Sequence, residues 1–237
     1  MNQRTTPQIL LIGGGAGSGK TSLARALADT MPGTALVHLD SCYHSDPRLA
    51  PSVPRLDGHP GRMVAYSDPR ALDTARIKAA LAEHRHAPLV IVEGTFALAL
   101  PELTAIATWK VFVDTPADIR LVRKTLRKIE EGQDPAPGLR GYTTSSRSYT
   151  RHVAPTRDQA DVILAGTQPP ADLTNRLQAY LAASSESSEG DAAAPADLHR
   201  AQQSADGAPA MDVGGDVPGV GEHRGPGPAG REPAQPA

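Results

Sequence analysis

The chain of 237 residues alternates between short, continuously apolar runs and longer segments whose apolar residues have helical spacing. The apolar runs are residues 9–13, 35–39, 89–92, 111–113 and 162–164. Strands of a parallel sheet are covered on both faces, and they therefore show continuous apolar runs rather than strict alternation. The pattern predicts five buried, parallel strands.

Helices are predicted where apolar residues recur three or four positions apart between these runs. The predicted helices are residues 21–31, 69–86, 117–131, 146–153 and 171–182, and Asp68 is the expected N-cap of the second. Strands separated by helices imply an α/β fold, in which right-handed crossovers build a parallel five-stranded sheet with helices on both faces. In such a fold the ligand binds beyond the carboxyl ends of the strands.

The composition changes after residue 183. Residues 184–237 contain nine Gly and seven Pro, no Phe, Trp, Tyr or Ile, and nine acidic against three basic side chains. Such a segment buries too little apolar area to offset the entropy of its chain. We therefore expect one folded domain over residues 1–183 and a disordered acidic tail over residues 184–237.

Charge and cysteine content exclude several function classes. With the tail set aside the chain is mildly basic, which suits a polyphosphate ligand but not the dense Lys/Arg patch of a nucleic-acid binder. Cys42 is the only cysteine, so neither a disulfide framework nor a Cys-x-x-Cys metal site is expected. There is no signal-peptide pattern and no apolar run of the length that spans a bilayer. We expect a cytoplasmic protein without nucleic-acid or membrane partners, and the sequence leaves open whether it forms a homo-oligomer.

The clearest motif, Gly-x-x-x-x-Gly-Lys-Thr, follows the first predicted strand and opens the first predicted helix. Its residues are Gly14, Gly15, Ala16, Gly17, Ser18, Gly19, Lys20 and Thr21. Glycines let consecutive N–H groups turn toward phosphate oxygens at the positive end of the helix dipole. Lys20 is expected to bridge the β- and γ-phosphates, and Thr21 to offer its hydroxyl to Mg²⁺. The motif predicts a P-loop that binds ATP or GTP with magnesium, and a glycine-rich turn without a ligand is the alternative.

Three carboxylates follow predicted strands. Asp40 ends the second strand and is expected beside the γ-phosphate, where a carboxylate orients an acceptor hydroxyl and takes its proton. Glu93 ends the third strand and is expected to hold a magnesium-bound water or a substrate hydroxyl. Asp114 ends the next strand, but it precedes Thr-Pro and is expected to cap the following helix. A turn or capping role is the alternative for the other two.

Cations crowd the helix predicted over residues 117–131. They are Arg120, Arg123, Lys124, Arg127 and Lys128. A solvated charged face is the usual explanation of such a run. In a phosphoryl-transfer enzyme, however, cations of a closing segment neutralise charge on the γ-phosphate and exclude water. We expect Arg123 and Arg127 to be lid cations, with Arg140 as a further candidate beyond the hinge-like stretch 132–141.

Tyr43 and Tyr66 lie in loops that are expected to face the ligand crevice. Either ring is suited to stack on a base or a sugar, although packing in the core or on the surface is equally consistent with the sequence. The eight histidines show no metal-ligand spacing, and none is predicted to bind a metal.

The order of these motifs resembles the uridine kinase and phosphoribulokinase group of P-loop kinases. Besides the P-loop, the similar segments are Leu-Asp-Ser-Cys-Tyr-His (39–44), Tyr-Ser-Asp-Pro-Arg-Ala-Leu-Asp (66–73), Val-Ile-Val-Glu-Gly (90–94), the helix block 112–129 and Pro-Thr-Arg-Asp-Gln-Ala-Asp-Val-Ile-Leu (155–164). The resemblance implies a nucleoside-kinase fold and transfer of the γ-phosphoryl group of ATP, with Mg²⁺, to the primary hydroxyl of a nucleoside or similar small metabolite. It also implies that Asp40 is the base, Tyr43 a sugar or base contact, Arg123 and Arg127 the lid cations on the ATP side, and residues 156–161 part of the surroundings of the nucleotide base.

Three features of the chain differ from uridine kinases. His86 runs almost directly into Leu89, without the insert that contributes to pyrimidine recognition, Ser67 replaces an Asp that would contact the ribose, and residues 132–134 lack the acceptor-side arginines. Uridine or cytidine is the first expected acceptor, and another riboside, such as nicotinamide riboside, is the alternative. A nucleotide-hydrolysing switch protein is a further alternative, but no Asn-Lys-x-Asp motif follows the P-loop, and Asp-x-x-Gly does not occur between the P-loop and residue 183.

Overall fold

A computed structural model describes residues 6–189 of the chain. Within these residues lie seven strands, numbered in chain order: β1 (Gln8–Gly14), β2 (Ala35–His38), β3 (Ser52–Pro54), β4 (Arg62–Val64), β5 (Leu89–Glu93), β6 (Trp109–Asp114) and β7 (Val162–Ala165). The five predicted strands correspond to β1, β2, β5, β6 and β7, with ends that differ by at most two residues.

These five strands form one sheet in the order β2-β5-β1-β6-β7, and every neighbouring pair is parallel. β1 is the central strand, so the loop that leaves it lies between the ends of β5 and β6. Residues that follow β1, β2 and β5 therefore meet at the same edge of the sheet. The predicted fold, a parallel five-stranded α/β sheet, is confirmed.

The described part of the chain has seven α-helices: α1 (Lys20–Thr30), α2 (Thr74–Glu83), α3 (Pro101–Thr104), α4 (Ala117–Glu130), α5 (Ala136–Arg140), α6 (Tyr142–Ser148) and α7 (Pro170–Glu189). On one face of the sheet, Leu23 of α1 and Leu177 of α7 pack against Leu10 and Ile12 of β1. On the other face, Ile9 and Leu11 of the same strand join a core that includes α2 and α3 residues. Alternate residues of β1 thus enter two cores, and helices cover both faces of the sheet, as predicted.

The helix predicted over residues 69–86 is shorter than expected. Asp73, not Asp68, is the N-cap of α2, because its Oδ1 accepts hydrogen bonds from the backbone N–H groups of Ala75 and Arg76. Asp68 instead accepts from the N–H of Arg70 and caps a separate 3₁₀ turn, Pro69–Ala71. Two aspartates in succession therefore divide the predicted helix into a turn and a helix that ends at Glu83.

The last helix is longer than predicted, since α7 continues to Glu189 rather than ending at residue 182. The Ser184 hydroxyl donates to the carbonyl oxygen of Tyr180, four residues earlier, so its polar group is satisfied within the helix. Residues 190–237, most of the predicted tail, lie outside the described residues, and the domain boundary at residues 183/184 stays a prediction. No helix within residues 6–189 combines the length and the apolar character that crossing a bilayer requires.

The structure differs from the predicted elements in the segments 52–64 and 132–153. β3 and β4 form a small antiparallel hairpin outside the main sheet. The stretch 132–141, expected to be a flexible hinge, contains the short helix α5, and the helix predicted over residues 146–153 is α6 followed by a π-helical turn, Tyr149–Val153.

Candidate active site

The P-loop connects β1 to α1 with three left-handed backbone positions. Gly14, Gly17 and Gly19 have φ angles of 136°, 83° and 102°, which a residue with a Cβ atom rarely adopts. A Cβ on Gly19 would meet no atom within 4 Å, so open space lies in front of this part of the loop. The buried hydroxyl of Ser18 has no hydrogen-bond partner among the described residues. Open space and an unpartnered buried hydroxyl fit a loop that is built to receive phosphate oxygens.

The back of the P-loop is held tightly by its neighbours. A Cβ on Gly17 would lie 2.5 Å from the carbonyl oxygen of Arg120 in α4, and one on Gly166, after β7, would lie 2.4 Å from the carbonyl oxygen of Ser18. The Thr115 hydroxyl donates to that same Ser18 oxygen at 3.1 Å. The loop therefore has contacts behind it from β6, α4 and the segment after β7.

Lys20 is buried within the loop that it belongs to. Its Nζ donates to the carbonyl oxygen of Gly15 at 2.9 Å. Burial lowers the pKa of Lys20 to about 8, while the charges of Glu93 and Asp40 act in the opposite direction and Arg120 and Arg127 add to the lowering. The ammonium therefore lies within electrostatic reach of both predicted acidic residues and of α4.

Thr21 and Glu93 are in direct contact, as their predicted shared role requires. The Thr21 hydroxyl donates to Oε1 of Glu93 at 3.0 Å, and the Glu93 side chain is 5% exposed. No group of three or more His, Cys, Asp and Glu side chains within residues 6–189 forms a protein-only metal cage. One hydroxyl and one carboxylate fit Mg²⁺, which usually takes few protein ligands and completes its coordination with phosphate oxygens and water.

Asp40 lies on the exposed surface of a 3₁₀ turn, Leu39–Cys42, directly after β2. Burial lowers the pKa of Lys20 in the P-loop and of Lys124 in α4, and the negative charge of Asp40 opposes this lowering at both residues. The Asp40 carboxylate is therefore within electrostatic range of both the P-loop and the cationic helix.

Tyr43 and Tyr66 form a pair beside Asp40. Their ring centroids are 5.2 Å apart in an edge-to-face arrangement, and the Tyr43 hydroxyl donates to the carbonyl oxygen of Tyr66 at 3.1 Å. Burial, and then the negative charge of Asp40, raise the pKa of Tyr43, so its phenol stays protonated and keeps this hydrogen bond. Tyr66 is half exposed and offers its ring to solvent.

A cleft of about 370 Å³ lies between the P-loop and α4. It is lined by the P-loop, by Arg123, Lys124 and Arg127 of α4, and by Gly166, Gln168, Pro170 and Leu173 after β7. Arg123 Nη1 donates to the carbonyl oxygen of Gly166 at 2.8 Å, whereas Arg127 is 3.8 Å from Glu131 on the outer surface. Both predicted lid cations therefore line the cleft, and Arg123 is fixed to its far wall.

Two other residues have different partners from those expected. Arg140 donates to the carbonyl oxygen of Leu56 and so attaches α5 to the loop between β3 and β4, and its role as a lid cation stays a prediction. Asp114 does not cap α4, whose N-cap residue Pro116 has no side-chain cap; it accepts a 2.9 Å hydrogen bond from Arg157. The nearby Thr156 is buried and donates to the carbonyl oxygen of Val153, and no contact shown by the structure links it to the cleft.

Neither His38 nor Arg120 was predicted to belong to the site. His38 Nδ1 lies 2.7 Å from Oε1 of Glu93. Arg120 stacks on the ring of Tyr149 at 4.1 Å, donates to the carbonyl oxygen of Thr115, and extends its guanidinium to Gly15. Since His38 is the last residue of β2 and Glu93 the last of β5, only the strand order makes them neighbours, and the sequence does not contain that order explicitly.

Two family models match parts of the chain. The model described as the phosphoribulokinase / uridine kinase family matches residues 66–169, and the model described as zeta toxin matches residues 1–44. Curated relatives include the uridine kinase of Ligilactobacillus salivarius (strain UCC118), which is 29% identical and aligns over 69% of this chain and 87% of its own. The uridine kinase of Deinococcus deserti is also 29% identical, over 72% of this chain and 94% of its own. Over residues 66–169 the chain is thus similar to the phosphoribulokinase / uridine kinase family.

Similar solved structures include a sugar kinase from Janibacter sp. HTCC2649, with a TM-score of 0.45 and 18% identity over 74% of this chain and 94% of that one. Shikimate kinase from Aquifex aeolicus has a TM-score of 0.40 and 16% identity, over 75% and 98% of the two chains. The phosphoribulokinase / uridine kinase match contains Tyr66, Glu93, Arg123 and Arg127, and the zeta toxin match contains the P-loop and Asp40. The predicted site residues thus lie within segments that match known families, whereas Pro170 and Leu173 of the cleft wall lie just outside them.

Proposed function

We propose that the protein is an ATP- and Mg²⁺-dependent kinase that phosphorylates the primary hydroxyl of a nucleoside or a similar small metabolite. The observation that carries the proposal is the position of Asp40. Its carboxylate lies directly after β2, and its charge acts on both Lys20 of the P-loop and Lys124 of the cationic helix. A protein that only hydrolysed nucleotide would not need this carboxylate or the tyrosine pair beside it.

Different residues of the chain are proposed to carry out different parts of the reaction. The acceptor oxygen attacks the γ-phosphorus, the bond to the β–γ bridging oxygen breaks, ADP leaves, and the acceptor proton passes to Asp40. Lys20, Arg123 and Arg127 neutralise charge on the transferred group, and a water-poor cleft strengthens that effect. Thr21 and Glu93 would hold Mg²⁺, which supplies charge neutralisation of the phosphates.

The acceptor is proposed to be uridine or cytidine, because the curated relatives are uridine kinases. Another riboside, such as nicotinamide riboside, is the second candidate. α2 ends at Glu83 and β5 begins at Leu89, so the chain between them leaves no room for the insert that uridine kinases place there. Tyr43 and Tyr66 are the residues proposed to bind the acceptor, and a stacking surface of this kind accepts many ring systems.

The protein is further proposed to act in the cytoplasm, without a nucleic-acid or membrane partner. Its substrates on this proposal are ATP and a small alcohol, and neither requires a macromolecular partner. A nucleotide-hydrolysing switch protein is the remaining alternative.

Incubation with ATP, Mg²⁺ and a panel of nucleosides and ribosides, followed by mass measurement of the products, tests the proposal. We expect one added phosphate on a riboside and stoichiometric ADP. The same panel with GTP determines the donor. Fast ADP release that is independent of every acceptor, with no phosphorylated product, would instead establish the hydrolysing switch.

A further inference from the structure

The Glu93 carboxylate receives two hydrogen bonds on one of its oxygens. Thr21 Oγ1 donates to Oε1 at 3.0 Å, and His38 Nδ1 lies 2.7 Å from the same atom. An ionised carboxylate only accepts hydrogen bonds, so the His38 proton must reside on Nδ1. Within residues 6–189, no hydrogen bond reaches the other oxygen, Oε2.

The backbone holds His38 in the position that this contact requires. In the parallel pairing of β2 with β5, His38 is directly opposite Glu93, so both side chains project from the same face at the ends of adjacent strands. The Ser41 hydroxyl donates to the carbonyl oxygen of His38 at 2.7 Å and fixes the backbone at the end of β2. The imidazole is one-third exposed, whereas Glu93 is nearly buried.

We propose that His38 is a positioning residue for the magnesium site: it holds Glu93 Oε1 so that Oε2 faces the metal ion or its bound water. The inference rests on the proposed function for the role of the metal. A neutral imidazole that donates to a ligating carboxylate fixes the orientation of that carboxylate, and loss of such an outer partner commonly weakens metal binding by 10- to 100-fold.

The alternative is a histidine that merely satisfies a buried carboxylate. That role would affect folding stability but would leave the metal affinity of the folded protein unchanged. The two roles therefore differ in one quantity, the affinity of the nucleotide complex for a divalent cation, which does not depend on turnover.

To measure this affinity, Mn²⁺ is titrated into the full chain saturated with ADP, and the electron paramagnetic resonance signal of free Mn²⁺ is monitored. We expect His38→Ala to raise the Mn²⁺ dissociation constant by about tenfold or more. His38→Asn should recover most of the affinity, because its amide N–H lies close to the position of Nδ1. His44→Ala is the matched control: His44 is also partly buried beside a carboxylate, Asp73, at 3.7 Å, and it does not contact Glu93.

The outcomes separate the inference from the proposed function. Unchanged or tighter Mn²⁺ binding by a folded His38→Ala, with folding checked by thermal melting, overturns the positioning role. If the alanine variant does not fold, equal affinities of His38→Asn and His38→Gln overturn it, since the glutamine amide lies nearer to the Nε2 position. Weakened Mn²⁺ binding together with no riboside phosphorylation by the wild type would keep the role of His38 and reject the kinase.

Discussion

The Lys20 ammonium donates a hydrogen bond to the carbonyl oxygen of Gly15, 2.9 Å away, inside the loop that is proposed to hold phosphates. A backbone carbonyl oxygen of the same loop thus accepts one of the hydrogen bonds that the Lys20 ammonium can donate. Burial nevertheless lowers the pKa of Lys20 to about 8, because Glu93 and Asp40 offset only part of the desolvation of the charge. The buried ammonium is therefore desolvated in the folded protein, and the negative charge of phosphates would compensate for that desolvation.

Lys20→Met is expected to stabilise the nucleotide-free protein near neutral pH while removing a phosphate contact. The pKa of Lys20 is about 8 in the folded protein, against its ordinary value of 10.5. Below pH 8 the wild type therefore bears a full penalty of about 3 kcal/mol, which fades as the pH rises to 10.5. Urea unfolding of both proteins at pH 7 and pH 10 measures the difference. Lys78→Met, an exposed control, should show no such pH dependence, and a difference that stays constant with pH would contradict the buried-lysine argument.

Asp40→Asn should bind ATP within about twofold of the wild type and lose transfer by about 10²- to 10⁴-fold, the usual contribution of a general base. The amide keeps the size of the side chain but cannot accept the acceptor proton. Calorimetric ATP titration and initial rates with the best riboside measure the two effects. Asp46→Asn is the control, since Asp46 pairs with Arg48 in an exposed loop. Retained transfer would remove Asp40 from the chemistry.

Gly17→Ala should destabilise the protein and abolish nucleotide binding. Its φ of 83° is strained for alanine, and the added Cβ would lie 2.5 Å from a backbone oxygen of α4 that cannot rotate away. Gly138→Ala, in α5, is the matched control: its Cβ would meet nothing within 4 Å, and helix propensity favours the change by up to about 1 kcal/mol. Thermal melting with and without ADP measures both. An ADP-dependent stabilisation that survives in Gly17→Ala would show that the loop tolerates the methyl group.

Arg123→Ala should raise the KM for ATP by about tenfold or more, the effect of losing a charge-assisted contact of 1.5–3 kcal/mol. Arg123 joins α4 to the carbonyl oxygen of Gly166 across the cleft. Initial rates at varied ATP measure the change, and Arg147→Ala, on the exposed surface of α6, should leave the KM unaltered. If the two variants raised the KM for ATP equally, the effect would come from the overall positive charge of the protein and not from the position of Arg123.

Tyr43→Phe should raise the KM for the acceptor by about fivefold, the effect of one net hydrogen bond, with little change for ATP. The variant removes the hydrogen bond to the carbonyl oxygen of Tyr66 that keeps the two rings edge to face. Tyr180→Phe on α7, which packs against the opposite face of the sheet, is the control. A change in the KM for ATP alone would place Tyr43 on the donor side.

The parts of the site that lie within one sequence segment were predictable. The P-loop, the strand ends at Asp40 and Glu93, and the cationic face of α4 each follow from local patterns, because glycine conformation, apolar runs and helical spacing are local properties. The expectation that Asp40 and Glu93 lie in one crevice followed from the rule that ligands bind at the carboxyl ends of parallel strands.

The missed features depend on contacts between distant segments. His38 meets Glu93 only because β2 is paired with β5, and Arg157 takes Asp114 away from the helix that it was expected to cap. The start of α2 was misplaced for a different reason: Asp68 and Asp73 are equally good caps by type, and Asp68 is occupied by its own turn. Side-chain type alone does not decide between two such positions.

The contacts behind the P-loop affect which distant substitutions the loop tolerates. Gly166 lies far from the motif in sequence, yet a methyl group there would collide with the Thr115 hydroxyl and the Ser18 carbonyl oxygen that support the loop. A loop braced in this way is already ordered before a nucleotide arrives, so binding loses little chain entropy at this wall. The same bracing makes Gly166 a position where a conservative change disables phosphate binding without touching a phosphate.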